Sequence, residues 1–241
     1  MPVPPLFSIM TNIKINFLLL TLLLVAAELH AGVVVGGTRF VFPAERESMP
    51  ISLTNTSQEA WLINTKINQP ARWPGVKAHS AAVPILAAPP LLLLQPGATG
   101  TLRLLKITSD SLPKDRETLF ELTIASVPSG KVENQSVKVA MRSVFKLFWR
   151  PEGLPGDPLE AYQQLRWTRN SQGVQLTNPT PYYINLIQVS VNGKALSNVG
   201  VVPPKSQRQT SWCQAIAPCH VAWRAINDYG GLSAKKEQNL P

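Results

Sequence analysis

Residues 135–151 of the chain alternate. Val137, Val139, Met141, Phe145, Leu147 and Trp149 fall at odd positions, interrupted only by Ser143, while Lys138, Arg142, Lys146 and Arg150 fall at even ones. Alternation with a period of two predicts a β-strand with one apolar and one cationic face. The stretch is long for a strand, since about 5–6 residues is usual. Cations at alternate positions are a device that protects an exposed sheet edge from indiscriminate pairing. A long apolar edge strand without proline is also a place where another chain can add a strand.

Shorter β-rich runs recur elsewhere, at residues 38–42, 49–55, 61–67, 101–107, 119–125 and 174–177, with turn residues between them. Short strands at this spacing predict an all-β protein of the sandwich kind. The 22 prolines are spread throughout, and the one helix-like window, 158–165, is short. Residues 151–158 read PEGLPGDP. So dense a run of proline and glycine predicts a linker or stiff elbow between two units.

Near the start, Lys14 precedes an unbroken apolar run over residues 17–27. That is the core of a signal peptide, too short to span a bilayer. Cleavage is expected after Ala31, with Ala27 as the alternative site, and Met10 is a second candidate start. Residues 1–31 are thus set aside as a signal peptide, leaving units at 32–151 and 152–241. The formal charge stays at +9, because the removed segment holds one cation and one acid, Lys14 and Glu28. No stable membrane insertion is expected, since the apolar stretch 81–94 is short and broken by three prolines.

Export implies an oxidising compartment, where a pair such as Cys213 and Cys219 forms a disulfide. Two free buried thiols are the alternative. Closing so short a loop stabilises by about 2–2.5 kcal/mol in the chain-entropy model. His79 and His220 are the only histidines after residue 31 and have no ligand spacing, so neither metal nor cofactor is expected. There is no glycine-rich phosphate loop and no Gly-x-Ser-x-Gly elbow, which argues against an enzyme. The basic charge is scattered, and with export this excludes nucleic acid as a partner. The cations remain for solvated strand faces or for capture of an anionic group on a partner.

Several short segments, taken in order, carry a resemblance. They are GTRFVF at 37–42, LTN at 53–55, APP at 88–90, QPG at 95–97, LPKDRETLF at 112–120, KLFWRP at 146–151, NPTPYY at 178–183 and INDYGG at 226–231. Together they resemble the periplasmic pilus chaperones of the chaperone–usher pathway, over the whole chain that follows the signal peptide. Three positions depart from that family. Glu121 and Thr123 stand where it has an aromatic residue and an asparagine, and Leu93 stands where it has an arginine.

The resemblance implies two immunoglobulin-like β-sandwich domains set at an angle, like a boomerang. It implies a periplasmic chaperone that binds, folds and caps pilin subunits by donating a strand, then delivers them to an outer-membrane usher. Arg39 and Lys146 match the cations that anchor the carboxylate at a pilin's C-terminus. Val137, Val139 and Met141 match the donor residues, although periodicity alone leaves open that they face the chaperone's own core. The short loop over 128–135 resembles the short-loop branch of the family. Glu117, Arg150 and Asp228 match a charged trio that bridges the domains; as exposed pairs they would each contribute under about 1 kcal/mol and mainly fix orientation. The alternative is an exported immunoglobulin-like structural or adhesive fimbrial protein. The cationic pair beside an apolar strand discriminates against it.

Overall fold

The computed structural model describes residues 32–78, 82–107, 112–129, 139–214 and 218–241. The signal-peptide segment, His79, most of the loop at 128–135 and Val137 lie outside the described residues.

Before Pro151 the strands are β1 (Val33–Val35), β2 (Arg39–Pro43), β3 (Ser48–Asn55), β4 (Trp61–Asn68), β5 (Ile85–Ala88), β6 (Leu91–Leu94), β7 (Thr99–Lys106), β8 (Thr118–Pro128) and β9 (Met141–Arg150). They form two sheets, ordered β1-β3-β7-β5 and β2-β9-β8-β4-β6. The alternation visible in the sequence becomes burial. Along β4, Trp61, Ile63 and Thr65 are buried while Leu62 and Lys66 are exposed. Between the sheets lie Phe42, Leu53, Ile63, Leu102, Phe120 and Trp149. Phe42 and Trp149 stack with centroids 5.5 Å apart and planes 8° from parallel. Each such side chain taken from water stabilises by about 1.5–3 kcal/mol.

After Pro151 a 3-10 turn at Ala161–Gln164 leads into β10 (Arg166–Asn170), β11 (Gly173–Asn178), β12 (Ile184–Val191), β13 (Lys194–Ala195), β14 (Val201–Val202), β15 (Ser206–Thr210), β16 (Cys219–Ile226) and β17 (Lys236–Leu240). These make a sheet β10-β11-β15 and a sheet β13-β12-β16-β17, with β14 also pairing β12. Their shared core holds Trp167 and Trp223, 4.9 Å apart at the ring centroids. Cys213 and Cys219 are disulfide-bonded and buried in the same core. The all-β, two-sandwich architecture expected from the sequence is the one observed. The turn-rich segment 151–158 is tied down rather than free, since the Tyr182 hydroxyl donates to the carbonyls of Leu154 and Gly156 at 3.2 and 3.1 Å.

The strand read from residues 135–151 is corrected in two respects. Among the described residues its ladder with β8 begins at Met141, opposite Ser126, with 139 and 140 outside the strand and 135–138 outside the described residues. The next partners on β8 would be Val127 and Pro128, and proline has no N–H to extend the ladder. Nor is β9 an edge along its whole length. The chain switches sheets at Gly36 and Gly37, and β2 then runs parallel to β9 with Arg39 opposite Lys146 and Pro43 opposite Arg150. Among the described strands, none covers the outer edge of β9 over residues 141–145. Burial follows the same gradient: Met141 is 48% exposed and Leu147 is 0% exposed.

Candidate functional site

Where β2 begins to pair with β9, two cations come together. Arg39 and Lys146 are direct cross-strand neighbours. Phe40 and Phe42 turn into the first core, as do Leu147 and Trp149, so Arg39 and Lys146 must point to the opposite face. Arg39 is almost buried. Its Nη1 donates to the Ile226 carbonyl at the end of β16, 2.9 Å away, while its buried Nε has no hydrogen-bond partner among the described residues. Burial pushes the guanidinium pKa down, and the charge of Asp228 partly restores it. Lys146 is half-buried. Burial first, and the Arg39 charge second, bring its ammonium down to about 8.

Two cations held side by side, one with an idle buried donor, leave an electrostatic deficit that an anion would fill. Arg supplies a planar fork and Lys a point charge with three donors, a combination suited to a carboxylate. The edge of β9 that no described strand covers leads directly into this pair. Val139 and Met141 lie along that approach and are 61% and 48% exposed. Met141 shares the face of Phe145 and Leu147, which pack in the first core, but is itself left exposed.

Around the pair the second sandwich is locked on by charge. Arg150 Nε donates to Glu117 Oε1 at 2.7 Å, and its two terminal nitrogens donate to the Asp228 carboxylate at 2.7 and 3.1 Å. Glu117 Oε2 accepts from the Tyr183 amide at 2.7 Å. Glu117, just before β8, is buried and not an exposed surface charge as the sequence suggested, and its amide donates to the Pro181 carbonyl at 2.9 Å. Burial pushes the Glu117 carboxyl up to about 7 against the pull of Arg150 and the Tyr183 amide. Arg150 is held above its ordinary value. The cost of burying it is outweighed by its hydrogen bonds and ion pairs with Asp228 and Glu117.

Three further features were not recognised from the sequence. Lys205 Nζ reaches Asp115 at 2.7 Å, a second charge bridge between the sandwiches. Glu121 is a buried acid in β8, directly opposite Lys146. It does not pair with that lysine; instead its Oε1 accepts from the amides of Ala71 and Arg72 at 2.7 and 3.0 Å. The third is Trp73, whose ring lies 4.9 Å from Lys146 Nζ. A lone charged residue in an otherwise uncharged strand was the available signal for Glu121. Trp73 carried only the signal of an aromatic residue in a proline- and glycine-rich loop. Leu93, the third departure, is exposed beside an exposed Leu62 on the outer face of the sheet. Among the described residues no cluster of three or more His, Cys, Asp or Glu could hold a metal, and no helix is long and apolar enough to cross a membrane.

Residues 32–155 match the family described as pili and flagellar-assembly chaperone, PapD N-terminal domain, and residues 160–237 match pili assembly chaperone PapD, C-terminal domain. The chain is 87% identical over 219 residues to the fimbrial chaperone YcbF of Escherichia coli strain K12, covering 91% of this chain and 93% of that one. It is 32% identical over 224 residues to the chaperone protein FimC of the same strain, covering 91% and 89%. Among solved structures it is similar to a chain of the Salmonella enterica complex of SafA pilin with the SafB chaperone. The TM-score is 0.75 at 28% identity, over 89% of this chain and 99% of that chain.

Proposed function

The chain belongs to the pili assembly chaperone family, and we propose that it acts in the periplasm as a donor-strand chaperone for pilin subunits. Residues 1–31 serve as its signal peptide, 32–151 form the subunit-binding domain and 152–241 the second domain. The incoming subunit is an immunoglobulin-like sandwich that lacks a strand. Its groove takes the outer edge of β9, with Val137, Val139 and Met141 entering the subunit's core. Its C-terminal carboxylate sits between Arg39 and Lys146. Glu117, Arg150 and Asp228 hold the two domains in the orientation that keeps this site assembled. The protein binds and hands on its partner and catalyses no reaction. Delivery to an outer-membrane usher is part of this reading on the strength of the family.

One observation carries the proposal. The outer edge of β9 is uncovered among the described strands over residues 141–145, and it ends at two adjacent, partly desolvated cations. Backbone hydrogen bonds along that edge each contribute about 0.5–1.5 kcal/mol net. Loss of one partner of a buried charge pair costs about 2–5 kcal/mol, so the anchor decides whether the complex survives.

The test is co-purification of the tagged chain from the periplasm, with the bound protein identified by mass spectrometry. A pilin at equimolar yield is expected with the parent and none with Arg39→Ala or Lys146→Ala, both variants keeping the folded circular dichroism spectrum of the parent. Undiminished pilin with either variant refutes the anchor. A parent that recovers no pilin refutes the function.

A further inference from the structure

The loop after β4 does more than connect strands. Glu121 grips it at the amides of Ala71 and Arg72. Two residues on, the Pro74 carbonyl accepts from Val201 N–H of the second sandwich at 3.0 Å. The contact is tight on both sides. A Cβ on Gly75 would lie 2.2 Å from the Val201 carbonyl oxygen, and one on Gly200 would lie 2.2 Å from that of Pro74. Both glycines also have positive φ, +87° and +74°, which other residues rarely adopt. Trp73 therefore sits between two fixed points, one on each sandwich. Its ring is held over Lys146 at cation–π distance and is itself only partly buried.

A carboxylate oxygen bound to Lys146 lies about 2.8 Å from Nζ. The Cα bearing that carboxylate is two bonds further on, so the side chain of the same residue starts within reach of the indole. We infer that Trp73 is a specificity-determining residue of this site, the aromatic wall against which a partner's terminal side chain packs. The site then selects partners that end in an aromatic residue over partners that end in a small one. The inference rests on the carboxylate-anchor reading given above and adds to it a preference for the residue that bears the carboxylate.

The probes are three acetylated hexapeptides of alternating threonine and valine. One ends in tyrosine with a free carboxylate, one in the corresponding tyrosine amide, and one in glycine with a free carboxylate. Binding to the purified chain is measured by calorimetry. An aromatic contact of this kind is expected to favour the tyrosine acid over the glycine acid by about five- to tenfold. In Trp73→Ala that ratio should fall to about one, with the acid still preferred over the amide, and Trp73→Phe should restore most of it. Persistence of the tyrosine preference in Trp73→Ala overturns the inference, as does its absence from the parent. If the amide binds the parent as well as the acid does, the carboxylate anchor itself fails, a different result from either.

Discussion

Arg150 holds Asp228, 78 residues further along the chain, with both terminal nitrogens, at 2.7 and 3.1 Å. The same guanidinium turns its Nε to the buried carboxylate of Glu117. One cation at the end of β9 thus pairs with two acids. Replacing it with alanine leaves Glu117 uncompensated in a site that is 3% exposed. Breaking a buried pair from one side costs about 3–5 kcal/mol. For a chain of this size that lowers the melting temperature by roughly 6–20 °C. Thermal unfolding of Arg150→Ala followed by circular dichroism measures it, and a shift under about 2 °C would mean the trio contributes little to stability.

Val139→Asp isolates the strand from the fold. Val139 is 61% exposed, so the substitution is expected to change stability by no more than about 0.5 kcal/mol. In the complex the same position would carry a charge into an apolar groove. Complete loss of co-purified pilin with an unchanged melting curve is the expected pair of results. A variant that still protects its pilin rules out the donor role of this strand.

Most of the fold was legible because the sheets write period-two patterns into the chain. Residues 49–55 and 61–67 mark β3 and β4 to within one residue at either end. The turn-rich octapeptide at 151–158 marks the passage between the sandwiches. What periodicity could not supply was pairing. Nothing in the alternation of β9 says that β2 will cover half of its edge, because that depends on where the chain changes sheets. The burial of Glu117 was hidden for a related reason. Its neighbours along the chain are polar, and the residues it bonds to, Tyr183 and Pro181, are more than sixty positions away. Trp73 is a tertiary result of the same sort, seated by an acid from β8 and an amide from β14.

Gly75→Ala tests whether that loop is seated as firmly as its contacts suggest. The new methyl would lie 2.2 Å from a backbone oxygen, and the backbone already has a φ of +87°. Neither can relax without withdrawing the loop from Val201. A destabilisation of about 1–3 kcal/mol is expected, with faster proteolytic cutting within residues 71–78. Unchanged melting and unchanged cutting would show that the loop does not depend on this seat.

Lys146 gives two pH dependences of opposite sign. Its ammonium titrates at about 8 in the folded chain, below the ordinary lysine value near 10.4. Between those values the unfolded state binds more protons than the folded one, so unfolding free energy rises with pH across that window. Below about pH 8 the charged lysine opposes folding in full. Carboxylate binding runs the other way. It requires the charged form, so affinity is fully present below about 8 and falls above it by up to about tenfold per pH unit. Titrating the tyrosine-ended acid peptide from pH 6.5 to 9.5 should show that fall, and Lys146→Arg, which stays charged, should abolish it. An affinity that is flat through pH 9 in the parent would mean that Lys146 does not hold the anion.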